Sequence, residues 1–471
     1  MGSPHSPGDR LDRVVSGLSH DGQGVVDVDG MVAFVPGALP SEHIRLQLQR
    51  RSRRYWTARL DAVLQPSPQR RRPPCILAER CGGCSLQHWQ REAQQQWKRQ
   101  KLLDTLRRIG HFQDLDQRVG QVLAQQGDGL GYRNRAILPL ERRDDGTVRA
   151  GYYRAGSHTI VNLNHCPVLD SRLDSLLEPL KQDLERSRWP IDRHLRARGG
   201  LRHLALRVGH HTGEVLLTLI SSREDLDGLE QQAQVWMKRW PQLVGVCLNI
   251  QDRPSNTLLG PETRVIAGRG WLQERFAGLA FQIGADTFFQ VNTPLAEAMV
   301  PLLASALSTV PRGYLIDAYC GIGTFALPFA ALGWNVLGIE LSPGSVGRAE
   351  DNAAMNGLSD TCRFLPGPVG SLLHEHLPGC EALFVDPPRK GLEASAVQAI
   401  LQTTPQLLLY LSCDPATLAR DLACLAGPSG PYSIEQLQPI DLFPQTSHLE
   451  TLATLRRTNE AEPQAAFRGQ S

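Results

Sequence analysis

The chain has 471 residues, too many for one compact domain and suggesting about three. Hydrophobic residues make up 41% of the chain and charged residues 21%, which is typical of a globular protein and excludes a disordered or coiled-coil one. No apolar run reaches the roughly 20 residues that a membrane-spanning helix needs, and the first ten residues lack the apolar core of a signal peptide. We therefore expect a cytoplasmic protein without a membrane partner.

The net charge of +2 hides an uneven distribution of basic residues. Five of the 50 basic residues are lysines, so nearly all positive charge is carried by guanidinium groups. Residues 41–110 contain 16 Lys and Arg against five Asp and Glu. The amino-terminal part is therefore strongly basic.

Residues 12–64 alternate Val-rich pieces with Gly and Asp turns, which predicts several short strands and a small barrel of the OB type. Four arginines and then Tyr55 and Trp56 follow one another between residues 50 and 56. Phosphate-pairing charge beside aromatic surface indicates binding of single-stranded RNA. The alternative is a solvated charged strand with two core aromatic residues. A Pro/Arg-rich linker at 66–75 ends this part.

An amphipathic helix is predicted at about 86–109. Residues 129–285 read as a mixed region, with strands such as RAILPLE, HLALRVG and EVLLTLI. From residue 286 strands and helices alternate, which predicts a parallel, doubly wound α/β sheet. The polar tail at 459–471 is predicted to be disordered.

Four cysteines form one pattern. Cys75, Cys81 and Cys84 are spaced C-x5-C-x2-C, and Cys166 follows 82 residues later in an NHCPVL turn. Four thiolates suit a 4Fe–4S cluster or a zinc ion. Three ligands from one loop favour the cluster, since structural zinc sites usually pair two short knuckles. Zinc, or four unrelated buried cysteines, remain the alternatives.

The segment LIDAYCGIGTFALPFA at 315–330 predicts a strand ending in Asp317, a glycine loop and a helix. The third glycine of a dinucleotide fingerprint is absent, which argues against NAD. The next strand, WNVLGIE, ends at Glu340, where an acidic side chain accepts hydrogen bonds from ribose hydroxyls. These features favour S-adenosylmethionine over a purely structural turn.

A further strand, LFVDPPRKG, ends at Asp386 and a Pro-Pro turn. Similar turns occur in methyltransferases that act on exocyclic amines, where an aromatic residue follows the prolines. Arg389 stands in its place here, which argues against amino-group chemistry.

The segment LLLYLSCDPATLARDL predicts a buried strand that ends at Cys413. Asp414 is a good helix N-cap and Pro415 suits the first helical position. A thiol beside a helix N-terminus gains thiolate character, although the Asp414 charge opposes it. Because ligands bind at the carboxyl ends of such strands, a nucleophile is favoured over a packing cysteine.

A cysteine nucleophile fits methylation at carbon 5 of uracil. Addition of a thiolate to carbon 6 makes carbon 5 nucleophilic toward a methyl donor. The carbon-5 proton must then be removed by a base, and SHLETL at 447–452 offers Glu450 for this role.

Together these segments resemble the RNA uracil-5-methyltransferase family, and most closely its 23S ribosomal RNA branch. The matching features, from about residue 12 to 457, are an amino-terminal barrel similar to a TRAM domain, the cysteine pattern, GYRNR, FFQVN, DAYCGIG, DPPRKG, LSCDPATLARD and HLETL.

The resemblance implies a role for each motif. Cys413 would be the nucleophile and Glu450 the base, and the four cysteines would hold a 4Fe–4S cluster. S-adenosylmethionine would be contacted by Gln290, Tyr319, Thr324, Glu340 and Asp386. Thr324 stands where Asn is common in the family, and Asp414 where Asn is usual.

The resemblance also implies the domains. The expected limits are 8–65 for the barrel, 66–92 and 126–285 for a mixed α+β iron–sulfur domain, and 93–125 with 286–458 for a Rossmann-like class I methyltransferase domain.

The expected partner is 23S ribosomal RNA, because the transfer-RNA branch is expected to lack both barrel and cluster. The same chemistry on transfer RNA is the first alternative. A non-catalytic RNA-binding assembly factor is the second.

Overall fold

The structure is a computed structural model that describes residues 5–192, 199–253 and 257–458. It contains three large β-sheets and a two-stranded hairpin. No helix in the described part is long and apolar enough to cross a membrane. The predicted disordered tail lies outside the described residues.

The amino-terminal sheet has six strands in the order β1-β5-β6-β4-β3-β2. Their bounds are β1 Arg10–Val14, β2 Gly17–Leu18, β3 Gly24–Val28, β4 Met31–Val35, β5 His43–Arg51 and β6 Tyr55–Gln65. The edge strands β1 and β2 are consecutive in the chain, and Val15 and Ser16 between them bond to opposite parts of the sheet. The sheet therefore curls into a barrel-like shape.

The prediction that arginines and aromatic rings share one exposed RNA-binding surface on this sheet is wrong for Trp56. Arg50, Arg51, Arg53 and Arg54 are exposed, but Trp56 is fully buried among the valines of the sheet. Tyr55 is half-buried and packs edge-on against Phe34. The reason is strand alternation: Trp56 points to the core face, so it cannot stack on a base.

Helix α1 (Arg91–Arg108) begins five residues later than predicted. Residues Ser85 and Leu86 instead donate their backbone N–H groups to the carbonyl of Gln445. Leu102, Leu103 and Leu106 of α1 lie in the same core cluster as strands of the carboxyl-terminal sheet. The helix thus packs against segments that are distant from it in the sequence.

The central sheet has the order β12-β11-β10-β9-β7-β8. Its elements in chain order are β7 Arg135–Arg142, β8 Val148–Ala150, α2 Ser171–Ser187, β9 Leu201–Val208, β10 Val215–Ser221, α3 Leu229–Arg239, β11 Leu243–Ile250 and β12 Glu262–Gly268. Apolar residues of α2 and α3 pack with Leu204, Leu206 and Val208 in one cluster. Because side chains alternate along a strand, Arg207 lies on the opposite face.

The hairpin β13 (Trp271–Phe276) and β14 (Leu279–Gly284) belongs by packing to the carboxyl-terminal core. Phe276 and Phe281 lie in the same cluster as residues of the last sheet. The Asn352 side chain also accepts from the backbone of Gln282 at 2.8 Å.

The last sheet has seven strands in the order β17-β16-β15-β18-β19-β21-β20. Its elements are α4 Thr293–Glu297, α5 Val300–Leu307, β15 Tyr314–Ala318, α6 Ala326–Ala331, β16 Asn335–Glu340, α7 Pro343–Met355, β17 Cys362–Pro366, α8 Val369–His376, β18 Ala382–Val385, α9 Ala394–Thr403, β19 Leu407–Ser412, α10 Pro415–Ala426, β20 Tyr432–Ile440 and β21 Glu450–Arg457. The first five strands are parallel, as predicted, and β21 inserts antiparallel beside β19. The strand order reverses at β15, where α/β proteins bind ligands at the carboxyl ends of the strands.

Candidate active site

The loop after β15 has an unusual backbone. Gly321 and Gly323 have φ values of 58° and 82°, and Tyr319 has a φ of 69°. A tyrosine in this left-handed region is uncommon and marks a constrained site. A Cβ at residue 323 would also come within 3.3 Å of the Phe364 ring. The loop therefore packs closely against the Phe364 ring of β17.

A narrow cavity of about 20 Å³ opens at the carboxyl ends of β15 and β18. Four of the five residues predicted to contact the methyl donor line it: Gln290, Tyr319, Thr324 and Asp386. The fifth, Glu340, is half-exposed at the end of β16 and accepts from the N–H of Gly321 at 3.2 Å. The cavity by itself is too small to enclose a nucleoside.

Asp317 was not among the predicted site residues, yet it lines this cavity. It is 1% exposed, and neither carboxylate oxygen has a hydrogen bond of ordinary geometry. Burial, with the charges of Asp386 and Glu340, raises its pKa well above the usual range. A buried carboxyl without a partner is costly, which indicates a polar ligand in the cavity. The signal in the sequence was its position at the end of the strand before the glycine loop.

Phe288 also lines the cavity. In the sequence it belongs to the FFQVN motif, and no role is predicted for it. Its side chain is 59% exposed while it lines the cavity. A large exposed aromatic side chain at a cavity mouth is informative because such residues are usually buried.

The structure brings Cys413 and Glu450 together although they are distant in sequence. Ser412 of β19 and Thr451 of β21 are direct partners in the antiparallel register. The next residues in each direction, Cys413 and Glu450, therefore lie opposite each other at the strand ends. Asp386 follows the neighbouring strand β18 at the same edge. One thiol and two carboxyls thus share the carboxyl end of the sheet.

Burial raises the pKa values of all three groups, and neighbouring carboxyl charge adds to the shift at Glu450 and Cys413. Burial raises the pKa of Asp386 to about 7, and burial with the Asp386 charge raises that of Glu450 to about 8. Burial, then the charges of Glu450 and Asp386, raise the pKa of the Cys413 thiol to about 12. Arg389 acts in the opposite direction on both Cys413 and Glu450. The resting site therefore keeps a neutral thiol beside a carboxyl that titrates near neutral pH.

The local structure around Cys413 is as predicted. Asp414 caps α10, accepting from the N–H groups of Ala416 and Thr417 at 2.9 and 3.0 Å, and Pro415 is the first helical residue. Because Asp414 occupies these donors, they are not free to stabilise a thiolate at Cys413. The raised pKa of the thiol agrees with this arrangement.

Helix α1 holds the segment that leads into Glu450. Asp441 is fully buried and accepts from Lys98 Nζ at 2.5 Å and from Arg91 Nη1 at 2.6 Å. Lys101 Nζ also donates to the carbonyl of Ser447 at 2.8 Å. Losing one partner of a buried ion pair is expensive, so these contacts fix the approach of the segment to β21.

A second cavity, of about 160 Å³, lies in the central part of the molecule. The four cysteines of the sequence pattern, Cys75, Cys81, Cys84 and Cys166, all line it. Among the described residues, no three His, Cys, Asp or Glu side chains form a group that could hold a metal ion. The thiols thus surround a space without being gathered around one point.

Polar groups face the sulfur atoms of this cavity. The backbone N–H groups of Leu77 and Gly83 donate to the Sγ atoms of Cys75 and Cys81, each at 3.4 Å. The guanidinium of Arg133 lines the cavity as well. Such donors stabilise sulfur that carries negative charge.

Burial disfavours ionisation of two of these thiols, Cys84 and Cys166. Burial, the main cause, raises the pKa of Cys84 to about 11 and that of Cys166 to about 12. Arg133 opposes the shift at Cys84.

Comparisons with known proteins bear on the family and the fold of the chain. The sequence profile of the family described as tRNA (uracil-5-)-methyltransferase matches residues 96–363 and 373–458. A protein of Parasynechococcus marenigrum named "uncharacterized RNA methyltransferase" is 51% identical over 454 residues, covering 96% of this chain and 97% of that protein. A protein of the same description from Halalkalibacterium halodurans is 31% identical, covering 97% of this chain and 99% of its own length.

Among solved structures, the chain is similar to the tRNA (uracil-54, C5)-methyltransferase of Pyrococcus abyssi in complex with S-adenosyl-L-homocysteine. The TM-score is 0.74 at 25% identity, with 94% of this chain and 100% of that chain covered. The profile spans more than half of the chain, and the relatives align over nearly its whole length. The chain therefore belongs to the tRNA (uracil-5-)-methyltransferase family and is an RNA methyltransferase.

Proposed function

We propose that this protein transfers a methyl group from S-adenosylmethionine to carbon 5 of a uridine in RNA, with Cys413 as nucleophile and Glu450 as base. The observation that carries the proposal is the position of the two side chains. They lie opposite each other at the ends of β19 and β21, beside the cavity lined by Asp317, Gln290 and Asp386.

The reaction starts with the thiol. Cys413 loses its proton to an adjacent carboxylate or to water, and its sulfur adds to carbon 6 of the uracil. The electron pair of the carbon 5–carbon 6 double bond becomes an enolate. Carbon 5 then attacks the methyl group of the sulfonium, and S-adenosylhomocysteine leaves. The uracil is now saturated at both carbons and bound to the enzyme.

Release needs a base. Glu450 removes the proton from carbon 5, the double bond re-forms, and the carbon 6–sulfur bond breaks, which returns the Cys413 thiolate. Glu450 must be ionised for this step. Its raised pKa makes it a stronger base than a surface glutamate and places its titration near the working pH. Arg389 supports the ionised form of both groups.

The narrow cavity at the carboxyl ends of β15 and β18, called the donor cavity below, fits the methyl donor chemically. In the protein alone, the Asp317 carboxyl has no hydrogen-bond partner. The amino group of S-adenosylmethionine is a cation and a hydrogen-bond donor, so it would supply that partner. Glu340, at the end of β16, is placed to accept from ribose hydroxyls. The solved relative with S-adenosylhomocysteine bound supports the same ligand class here.

The four-cysteine cavity fits a 4Fe–4S cluster better than zinc. Four thiols around about 160 Å³ leave room for a cubane, whereas a zinc ion requires four sulfurs close to one point. Cys75, Cys81, Cys84 and Cys166 would hold the cluster, and its iron ions would supply the positive charge that these buried thiolates need. When bound, the cluster would crosslink the loop at 75–84 to the turn at Cys166.

The amino-terminal domain, which we interpret as TRAM-like, contributes RNA-binding charge through its exposed arginines. Arg50, Arg51, Arg53 and Arg54 are suited to phosphate contacts. Trp56 takes no part, since it belongs to the core.

The substrate we propose first is 23S ribosomal RNA, because barrel and cysteine pattern together resemble that branch. Transfer RNA is the second candidate, and one observation favours it. The Pyrococcus abyssi enzyme, a tRNA (uracil-54, C5)-methyltransferase, aligns over 94% of this chain. That coverage includes most of the amino-terminal sheet, so the presence of this sheet does not separate the two substrates.

The test is mass mapping of 5-methyluridine in 23S ribosomal RNA and transfer RNA after deletion of the gene. Loss of one 5-methyluridine from 23S ribosomal RNA, restored by the wild-type gene, is the expected result. Loss from transfer RNA alone would move the substrate to the second candidate. No loss from either RNA would contradict uridine methylation.

A further inference from the structure

Two arginines face each other on the central sheet. Arg135 of β7 and Arg207 of β9 are direct partners in the antiparallel register. Their side chains therefore leave the same face of the sheet, with Cβ atoms about 5 Å apart. Like charges in this position repel each other, and burial adds the cost of removing them from water.

The protein does not neutralise the pair. Arg207 is 5% exposed; its Nη2 donates to the carbonyl of Thr287 at 2.9 Å, while its Nη1 has no hydrogen-bond partner. The charge of Asp286 acts on both guanidinium groups. Among the described residues, however, no ion pair joins Asp286 to Arg135 or Arg207, and Asp286 is exposed.

The surroundings of the two guanidinium groups disfavour their positive charge. Burial, with the charge of Arg133, lowers the pKa of Arg135 to about 10. Burial, with the charge of Arg135, lowers the pKa of Arg207 well below the usual range. Burial is the main cause of both shifts, and the charge of a neighbouring arginine adds to it while Asp286 opposes it.

The pair lies at the edge of the candidate active site. The carbonyl that Arg207 contacts belongs to Thr287, and the next residue is the exposed Phe288 of the donor cavity. Asn134, beside Arg135, donates to the carbonyl of Gln290 at 2.9 Å. The ends of β7 and β9 are thus joined to the segment that lines the cavity mouth.

We propose that Arg135 and Arg207 bind one phosphodiester group of the RNA strand next to the uridine that enters the active site. The inference rests on the proposed function at that site. A phosphodiester brings one negative charge and two free oxygens, which suit the forked donors of guanidinium groups. Arg135 is half-buried and Arg207 is 5% exposed, so Arg135 offers the phosphate the more accessible guanidinium of the pair. Such a contact positions the strand and reads no base.

The test is RNA binding by the full chain at several salt concentrations, with the RNA that the wild type methylates and with S-adenosylhomocysteine present. Arg207→Met and Arg135→Met should each weaken binding about tenfold at low salt. The slope of log K against log salt should become shallower by about 0.7 for each lost phosphate contact in a single strand. Unchanged affinity and slope in both variants would overturn the proposal.

Arg142→Met is the matched control. Arg142 lies on the same strand as Arg135, but its Nη atoms donate to the carbonyls of Gly146, Leu184 and Trp189. Its loss should lower the melting temperature and leave the salt slope unchanged. If the slope changed equally in this variant, general destabilisation would explain the effect and the proposal would fail.

Two further variants separate charge from folding. Arg207→Lys keeps the charge without the fork, so it should retain the wild-type slope with weaker binding than wild type. Asp286→Asn removes an opposing charge and should tighten RNA binding about twofold to threefold. If Asp286→Asn fails to tighten binding, a phosphate does not lie at this pair.

Ethylation of single phosphates locates the contact. In the wild type, one ethylated phosphate near the methylated uridine should block binding, and Arg207→Met should lose this sensitivity. An identical interference pattern in both proteins would refute the site while leaving uridine methylation intact. If the wild type showed the sensitive phosphate but did not methylate uridine, the proposed function would fail instead.

Discussion

Cysteines occur at two candidate sites of the molecule, and the groups around their sulfur atoms differ. Around Cys413 the carboxyls Glu450 and Asp386 add to the effect of burial and favour the neutral thiol, while Arg389 opposes them. Around Cys84 and Cys166 the neighbours include the Arg133 guanidinium and a cavity of about 160 Å³. Burial raises the thiol pKa in both places, so burial alone does not distinguish them.

The roles proposed for the two sites account for this difference, because they require the sulfur to be charged for different lengths of time. A nucleophile needs its thiolate for part of one turnover, and a nearby carboxylate suits it because it accepts a proton. Cluster ligands need permanent thiolates, and these require a fixed counter-charge from metal ions, amide N–H groups and arginine. The neighbours of a buried cysteine, more than its exposure, therefore indicate its chemistry. The following predictions test this contrast, beginning with the largest expected effect.

Cys413→Ala should abolish methyl transfer, by at least about 10³-fold, because carbon 5 is not activated without addition to carbon 6. RNA binding should remain. Methyl incorporation and a gel-shift assay measure the two properties separately. Cys424→Ala, which removes an exposed thiol of α10, is the control and should leave both unchanged. A substantial rate in Cys413→Ala would exclude Cys413 as the nucleophile.

Glu450→Gln should slow turnover by about 10²- to 10⁴-fold, the usual effect of losing a general base. Since addition and methyl transfer precede the base step, a methylated enzyme–RNA adduct should accumulate and survive denaturing electrophoresis. Glu435→Gln changes an exposed glutamate on the neighbouring strand β20 and should release product normally. Slow turnover without an adduct would assign Glu450 to an earlier step.

Cys84→Ser tests the other group of thiols. Wild-type protein purified without oxygen should contain about four iron and four sulfide ions per chain and absorb visible light. The variant should lose this absorbance and melt at a lower temperature, since a group bound by the folded state alone stabilises it. One zinc ion and no visible absorbance in the wild type would instead support the zinc alternative.

The pH dependence gives the smallest effect. Glu450 acts as a base in its ionised form, so the rate of product release should rise with pH and level off above about 8. Arg389 lowers the pKa of Glu450, so Arg389→Met should move the midpoint up by about one pH unit. Arg389→Lys keeps the charge and should retain the wild-type midpoint. A midpoint unmoved in Arg389→Met would show that Arg389 does not stabilise the ionised base.

Much of the carboxyl-terminal sheet could be predicted from sequence because its signals are local. The strand before Cys413, the Asp414 cap and the first-turn Pro415 are consecutive residues whose preferences agree. The same holds for the β15 strand and its glycine loop. Helix α1 begins later than predicted because the preceding residues bond to Gln445, a contact that no local pattern encodes.

The amino-acid sequence by itself determined most of the candidate site residues: the four cysteines of the spacing pattern, the glycine loop, Asp386, and Cys413 at the end of a strand. Tertiary structure decided which of them meet. Glu450 faces Cys413 through the register of an antiparallel strand, and Arg207 faces Arg135 in the same way. Trp56 became a core residue through the pleat of its strand. The physical reason is that periodicity and capping act over a few residues, whereas register and burial depend on contacts between segments far apart in the chain.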